Sequence, residues 1–588
     1  MFRVPSLSLP PETDLPELDE LRQFEAVHLF TERAEAVHPG FRLSPQNAPS
    51  IVQICHRLDG IPLAIELAAA RCKLLSPAQI ASRLDDRFRL LTGGSRTALP
   101  RQQTLEALIS WSYDILSEDE KMLFRRLSVF VGGFSLEAVE AISGADALNL
   151  LEQLLNKSLV QVEEAEGEAR YRLLESIRQY ARDRLLETGY VETIRNLHLD
   201  YFARFAQEAN SQLIGPAQRA WARRLGIEHD NLRAALDWAL TNEPDTALEI
   251  AGDLALFWSR SGFAGGGIRW LRDALARVDA LPPLEGDAAR IRQSARGRAY
   301  SGLGLVLIAQ GDYRLAHDML DQSLVLSRQV GNQQSIAFAL GMLGNVALFR
   351  GMPSTENYAE QALEISRQIQ YNLGIGMALG ALAQKRLWED GDIEAARQFA
   401  QESIARLRGS GNEWFAGIGV WSLGMMDLRQ GNYQSSRDNV LECYLIFEGM
   451  GDRHFTNVAR SGLAEIARAE KDYPQAKRIY LDTMEEWRKL GNLGAVARCL
   501  ECLAFIEGQL AGQTVSTEQS AHIFQAAKLL GAAETIRQKN NATMPPDEQV
   551  EYDQHLMLIQ SMAQVQIFKD SWQQGTTADL DALLTSYE

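Results

Sequence analysis

A residue pattern recurs every 40 positions between Gly311 and Asn492. Gly311, Gly351, Gly391, Gly431 and Lys471 share one phase, and Asn332, Asn372, Asn412, Asp452 and Asn492 a second. Leu303, Leu343, Leu423, Leu463 and Leu503 mark a third, broken only by Ala383. A fixed period of this length requires stacked supersecondary units rather than one closed core. Each unit reads as two helices. Phe338, Met342, Val346 and Phe349 fall on one helical face. Gly304, Gly344 and Gly424, each after the phase leucine, leave room for a neighbouring helix. The turns Gly311-Asp312-Tyr313, Gly391-Asp392-Ile393, Gly431-Asn432-Tyr433 and Lys471-Asp472-Tyr473 combine two roles. The first residue supplies the left-handed backbone that ends a helix, and the Asp or Asn caps the next.

Leu-Gly, then Gly-Asp-Tyr, then Ala316, Ala396 or Ala476 resembles the tetratricopeptide (TPR) pattern. The usual TPR period is about 34 residues, so a period of 40 implies longer helices. The pattern defines architecture and names no ligand. In such arrays the second helix packs outside. Arg386, Trp388, Trp414 and Trp421, on first helices, are therefore candidates to line a concave groove. Arginine and aromatic side chains are what binding hot spots use; the alternative is ordinary packing between units.

A chain of 588 residues suggests about four domains. The net charge of -18 opposes binding to nucleic acid phosphates or an anionic membrane. Five cysteines make no disulfide framework, which fits a reducing compartment. Met1 to Asp14 lacks the apolar segment of a secretory signal. The longest apolar run, Ile61 to Ala70, is interrupted by Glu66, so no membrane span and a cytoplasmic location are expected.

Upstream of the repeats the chain is expected to be helical. Residues 1–20 read as a Pro-rich linker, Leu21 to Ala36 as a helix, and Ser44-Pro45 as the opening of a helix through Arg57. After the turn at Gly60, Pro62 takes a first helical position, where a missing N–H costs nothing. Thr104 to Val162 reads as a winged helix: Leu105, Leu108 and Ile109 on a first helix, and a capping box at Ser117 to Glu120. A further helix follows Ser135. Asp146 to Lys157 takes the recognition position, and a β-hairpin of Ser158 to Glu163 with Arg170 to Leu174 turns at Glu166-Gly167. A DNA-reading helix needs Arg or Lys on its groove face, and Asp146 to Lys157 carries net negative charge. An internal lever is favoured over DNA binding.

The stretch from Cys55 to Phe134 resembles the NB-ARC-type signal-transduction ATPases (STAND), in particular bacterial transcriptional regulators of the SARP and LuxR-type groups. Gly60-Ile61-Pro62-Leu63 matches the family's Gly-Leu-Pro-Leu turn, and Leu225 to Leu240 and Ala527 to Gln538 are also similar. The resemblance implies a helical subdomain, winged helix, helical connector and TPR sensor. It also implies an upstream P-loop, G-x-x-x-x-G-K-[ST], that cradles phosphates. This sequence has no Gly-Lys dipeptide. Arg3 to Pro10 resembles the segment after the last nucleotide-domain strand, so the chain is expected to begin where the ATPase core would end. In the family's Met-His-Asp motif the His reads phosphates. Leu174 and Glu175 stand at the last two positions here, and a leucine cannot donate a hydrogen bond. Pro62, which in the family packs on adenine, is the one nucleotide contact carried over; a plain helix start is the alternative. No enzyme activity and no cofactor are expected, with ATP or ADP only if an upstream core is supplied.

Other constellations are weaker. Cys499-x-x-Cys502 has metal or redox spacing but no second pair, so two buried thiols are expected. Cys55, His56 and Cys72 read as core, and Gly265-Gly266-Gly267 as a flexible turn. Ala247 to Val278 reads as a degenerate leading repeat. Cys499 to Glu507 begins another first helix, Gly508 to Glu518 is a loop, and Val550 to Phe568 with Leu580 to Ser586 are terminal caps.

The expected fold is all-α: a TPR-like α-solenoid preceded by a helical subdomain and a winged helix with a small β-hairpin. The expected divisions are 1–99 (helical subdomain), 100–181 (winged helix), 182–280 (connector and degenerate repeat), 281–510 (repeats) and 511–588 (capping helices). The expected function is the sensor portion of a transcriptional regulator, binding a protein, peptide or small-molecule effector in the TPR groove. A free-standing TPR scaffold and direct DNA binding are the alternatives. Self-association stays open.

Overall fold

The structure, a computed structural model, describes residues 6–11, 15–38, 40–58, 75–83 and 117–585. Within these, 145, 158, 166–167, 515–516, 541 and 543 are excepted, and isolated positions between 60 and 72 and between 109 and 116 are added. Contacts divide the chain into two compact units, Met1–Phe202 with Arg233–Ala235, and Ala203–Leu232 with Leu236–Glu588. Among the described residues no helix is long and apolar enough to cross a membrane.

The first unit begins with α1 (Leu18–Leu21), α2 (Glu25–Val37), α3 (Ala48–Arg57) and α4 (Pro77–Arg83). The single helix expected from Leu21 to Ala36 is two pieces. Ser8 caps α2 from a distant strand of chain: its hydroxyl accepts from the Glu25 N–H at 2.9 Å, and the Glu25 carboxylate accepts from the Ser8 N–H at 3.0 Å. That exchange fixes the helix start at Glu25. The helix expected from Ser44 starts at Ala48, because Asn47 folds back to accept from the Ser44 N–H at 2.8 Å and makes a separate turn. Phe30, Ile51, Ile54, Cys55 and Ile65 bury the apolar faces in one cluster. Glu66, the acid on the apolar run, lies outside the described residues.

The winged helix follows. Leu105 and Leu108 of its expected first helix lie outside the described residues, whereas Ile109 is helical and buried. The capping box at Ser117 and Glu120 starts α5 (Glu118–Leu127), and Ser135 caps α6 (Leu136–Ser143). Next come α7 (Ala147–Asn156) and the strands β2 (Gln161–Ala165) and β3 (Glu168–Arg172). The strands are offset from the expected hairpin, and β3 also pairs antiparallel with a strand that alternation does not reveal, β1 (Gly133–Phe134). The sheet order is β1-β3-β2. Phe134 opposes Tyr171 and stacks on Phe130 at 4.8 Å, closing the core under the sheet. Leu174 then precedes α8 (Glu175–Leu186).

Helices α9 (Val191–Gln212) and α10 (Gln218–Asn242) form the connector. Then α11 (Pro244–Arg260) and α12 (Ala264–Asp279) pair as the leading degenerate unit. Gly265-Gly266-Gly267, expected as a flexible turn, is the first turn of α12. A Cβ on Gly267 would stand 2.8 Å from the Trp258 ring, so the glycines admit that indole and are not a hinge.

The repeats proper are α13 (Gly286–Ala309) with α14 (Tyr313–Val330), α15 (Gln333–Phe349) with α16 (Thr355–Gln368), and α17 (Asn372–Trp388) with α18 (Ile393–Gly409). They continue with α19 (Glu413–Arg429) and α20 (Tyr433–Glu448), α21 (Arg453–Ala469) and α22 (Tyr473–Leu490), then α23 (Leu493–Ala511) with α24 (Thr517–Asn540). The first helix expected over Cys499 to Glu507 is thus longer at both ends, and the loop after it shorter. First helices α13, α15, α17, α19 and α21 also touch one another in succession, so they form the inner layer. Gly304 and Gly424 let each first helix pack closely on the second helix of its own unit, since a Cβ there would lie 2.7 Å from Leu320 and 2.9 Å from Val440.

The 40-residue phase is explained by backbone. Gly311, Gly351, Gly391 and Gly431 all have φ between 62° and 79°, and Lys471 adopts 67° at the same phase. Asp312, Asn332, Asp392, Asn412, Asp452, Asp472 and Asn492 cap the following helices through their side chains. Two expected caps differ. Asn372 lies inside α17, whose cap position is Tyr371, because Gln370 takes the left-handed conformation (φ 55°). Asn432 sits at its cap position without a side-chain bond.

Three helices close the array: α25 (Pro546–Met562), α26 (Val565–Thr577) and α27 (Leu580–Thr585). The helix expected over Val550 to Phe568 breaks at Ala563-Gln564, both extended, which turns α26 back onto α24. There Gly531 and Gly575 let two backbones touch. A Cβ on either would meet a carbonyl oxygen, of Trp572 at 2.2 Å or of Lys528 at 2.0 Å.

A lysine at positive φ is strained by roughly 1–2 kcal/mol. Lys471→Gly is expected to raise the urea midpoint, by about 0.5–1 kcal/mol after the entropy of the added glycine, whereas Gly431→Ala lowers it by about 1–2 kcal/mol. Equilibrium unfolding followed by helical circular dichroism checks both.

Candidate functional site

The inner layer lines a partly open cavity of about 500 Å³, reached by residues of every first helix from α13 to α23. Met342, Phe349, Met377, Trp421, Phe455 and Val458 give its walls an apolar and aromatic character. A polar series crosses the same wall: Asn345, Gln384, Ser422 and Ser461, one per first helix from α15 to α21. Three of these spend their donor on their own helix. Asn345 Nδ2 donates to the Gly341 carbonyl (2.9 Å), Ser422 Oγ to Ile418 (3.1 Å) and Ser461 Oγ to Asn457 (3.1 Å). Their oxygens keep acceptor capacity, and Asn345 Nδ2 keeps one N–H. Gln384 is 6% exposed, and its Oε1 has no hydrogen-bond partner.

The cavity is bordered on several sides because the array returns on itself. Gln310 Nε2, at the end of α13, donates to the Leu490 carbonyl (3.3 Å), 180 residues on. The connector turn makes a second closure against the start of α19. Gln218 Nε2 donates to the Gly411 carbonyl (2.9 Å) and its Oε1 accepts from the Trp414 N–H (3.2 Å), while Asn412 Nδ2 donates to the Ile214 carbonyl (3.1 Å).

Trp414 is the pivot of that closure. It is 3% exposed, its Nε1 donates to Asp452 at 2.7 Å, and the Arg260 guanidinium lies over its ring at 3.9 Å. Burial lowers Arg260 to about 9 against the opposing charge of Asp452. Burial likewise holds Asp452 up at about 6, although Phe455 N–H, Trp414 and Arg260 all favour its ionised form. Two buried charges here serve closure, at a large desolvation cost.

Further along the wall, Arg498 and Arg537 meet carboxylates from the closing helices. Glu551 accepts from Arg468 at 2.5 Å and from Arg498; Arg537 is held by Glu501 at 2.7 Å. Burial raises the Glu551 carboxyl, but the two arginines outweigh it and hold it down at about 2. Burial pushes His454 down to about 4, so the imidazole on the wall is neutral near pH 7. Burial also raises Cys502 to about 12 and pushes Cys499 well above its usual value, so neither is a thiolate near neutral pH.

Of the residues singled out by sequence, the structure brings Trp414 and Trp421 to the cavity. It does not bring Arg386 and Trp388 there. Both stand at the far end of α17, where Arg386 is taken by Asp390 (2.6 Å) and Glu356 (2.7 Å), and Trp388 packs edge-on against Phe349 at 5.4 Å. Pro62 is helical and exposed. The polar series was missed by sequence reasoning, yet its steps of 39, 38 and 39 residues are a visible signal.

Residues 116–186 match the family of winged helix-turn-helix domains. A Mycobacterium bovis protein whose name assigns it to the HTH-type transcriptional regulators is 39% identical over 369 residues, covering 61% of this chain and 40% of that protein. An uncharacterised M. bovis protein is 43% identical over 177 residues, 29% of this chain and 45% of the relative. The chain thus spans about 40% of the length of the first of these relatives. Among solved structures, a STAND protein with a tetratricopeptide repeat sensor from Pyrococcus horikoshii aligns at TM-score 0.44 and 14% identity, over 97% of this chain and 75% of that one. The sequence matches agree with the resemblance to bacterial regulators read from the residues.

Two outcomes follow from the wall. Gln218→Ala removes two of the three hydrogen bonds of the connector closure and is expected to lower stability by about 1–3 kcal/mol, with faster hydrogen exchange at 411–415. Glu551 is ionised in the fold well below the ordinary carboxylate range, so its contribution is present above pH 4.5 and lost as pH falls towards 2. Glu551→Gln is expected to cost about 3–5 kcal/mol at neutral pH and to flatten that acid limb, as measured by urea midpoints at several pH values.

Proposed function

We propose that this regulatory helical-repeat protein is a non-enzymatic sensor whose solenoid cavity binds an effector and whose winged helix passes the signal on. The cavity of about 500 Å³ carries this reading. That volume lies in the range of ligand sites, which combine apolar walls with a few placed polar groups. An effector can move such a protein only through unequal affinity for two states. The cavity meets that condition when ligand and closing contacts compete for the same wall.

The winged helix is read as a lever. Helix α7, in the recognition position, contains neither Arg nor Lys, and its exposed face carries Leu148, Asn149, Glu152 and Gln153. Lys157, just beyond it, is engaged by Glu120. A face of this kind lacks the cations that neutralise phosphates. The regulator names of the relatives fit a place in transcription control in which DNA is read elsewhere. Catalysis and nucleotide use form no part of the proposal.

The test is a thermal-shift screen of small molecules and short peptides against this chain and Gly380→Phe. Gly380 lines the cavity, and a Cβ there meets nothing closer than the Ser403 hydroxyl at 3.9 Å, so a phenyl ring has room to enter. Compounds that stabilise the native chain and not the variant are expected. A library to which both respond alike would remove the cavity from the account. A mobility shift with duplex DNA, absent even at low salt, is expected for the lever reading.

A further inference from the structure

The charge and hydrogen-bonding character of the wall narrows the ligand. The inference rests on the cavity reading above. Three carboxylates (Asp312, Glu465, Glu548) and two guanidiniums (Arg498, Arg537) border the space, with His454 neutral. These charges are already engaged. Arg498 pairs with Glu551 and lies 3.9 Å from Glu548; Arg537 pairs with Glu501 and Glu548. Asp312 accepts the Leu315 N–H at 3.0 Å, and Glu465 acts on Arg498. An ion passing beyond the exposed rim, where Asp312 stands, would leave water without gaining an unmatched counter-charge, a transfer that is strongly unfavourable.

The uncharged polar groups point to the complementary requirement. Ser422 and Ser461 have committed their hydroxyl protons to their own helices, so these oxygens can only accept, and Asn345, with one N–H given to its own helix, presents its Oδ1 as an acceptor beside one remaining N–H. Gln384, nine-tenths buried on the same wall, holds an acceptor oxygen with no partner. These four residues form an acceptor series across four adjacent helices. Between them stand flat or flexible apolar groups, Phe349, Met377, Trp421 and Phe455, which suit a ring system. The lining donors without partners are Trp421 Nε1, the Tyr480 hydroxyl, and Nε and Nη1 of Arg498, whose charge is already matched by Glu551 and Glu548.

We propose that the cavity takes an uncharged, ring-containing small molecule that donates at least one hydrogen bond to the series Asn345, Gln384, Ser422 and Ser461.

A matched pair of fluorescent probes tests this. N-phenylnaphthylamine is neutral, aromatic and carries one N–H; anilinonaphthalene sulfonate is the same skeleton with a fixed negative charge. Titrated against the full chain, the neutral probe is expected to bind saturably at one site, and the sulfonate at least tenfold more weakly. Gln384→Leu should weaken the neutral probe by about two- to tenfold, the worth of one neutral hydrogen bond. Asn345→Ala, at a half-exposed position, repeats that measurement where folding is not in question. Gly380→Phe should abolish the site with helical content unchanged. If Gly380→Phe removes both probes but the sulfonate binds as tightly as the amine, the cavity stands and the uncharged class is overturned. If neither acceptor variant weakens the amine, the donor requirement falls. If the amine does not bind, the ligand class falls. If it binds equally to Gly380→Phe, the cavity itself is the wrong site.

Discussion

The solenoid depends on a reversal of fixed geometry between helices. One left-handed residue stops a helix, and the next residue's side chain starts another. Because both the length and the dihedrals of this joint are held nearly constant, the rotation from unit to unit is constant too. Four and a half units of 40 residues bring Leu490 back to Gln310. An array with looser joints would wander, and no hydrogen bond could be set 180 residues away. The cavity is therefore a product of the joints as much as of the side chains that line it.

Charge is used in a particular way in this unit. Arg260 with Asp452, and Glu551 with Arg468 and Arg498, are placed where distant parts of the array meet, not within a single hairpin of helices. Buried pairs of this type contribute little net stability compared with apolar packing, but breaking one is costly. They suit a junction that must form in one register only. The apolar inner layer could slide by a turn with modest loss; a guanidinium stacked on Trp414 and facing Asp452 could not.

The repeats were legible because their constraint is local. Gly at positive φ and Asp or Asn at a cap act within a few residues, so each leaves a mark at a fixed phase. Lys471 and Gln370 show where the mark can be overwritten when the stack imposes the conformation on a poor residue. What could not be read depended on contacts far along the chain. Ser8 sets the start of α2, β1 exists only through β3, and Phe568 leaves the preceding helix because α24 offers Gly531. The candidate site divides the same way. Trp414 and Trp421 were found as aromatic residues on inner helices. Arg386 and Trp388 were singled out on the same ground of inner-helix position but lie at the end of α17, where acids and Phe349 take them up. Position along the helix axis, which the period does not encode, decided between them.

Self-contact also has a bearing on how such a molecule can change over generations. An open stack of helical hairpins can gain or lose a unit, since each module meets only its neighbours. Here an extra hairpin between Tyr313 and Leu490 would carry the partner of Gln310 out of reach, and one fewer would overshoot it. The number of modules is thus tied to the arc they must span, as links are to the circumference of a bracelet. Sequence drift is free to act on the lining, while module count is held by geometry.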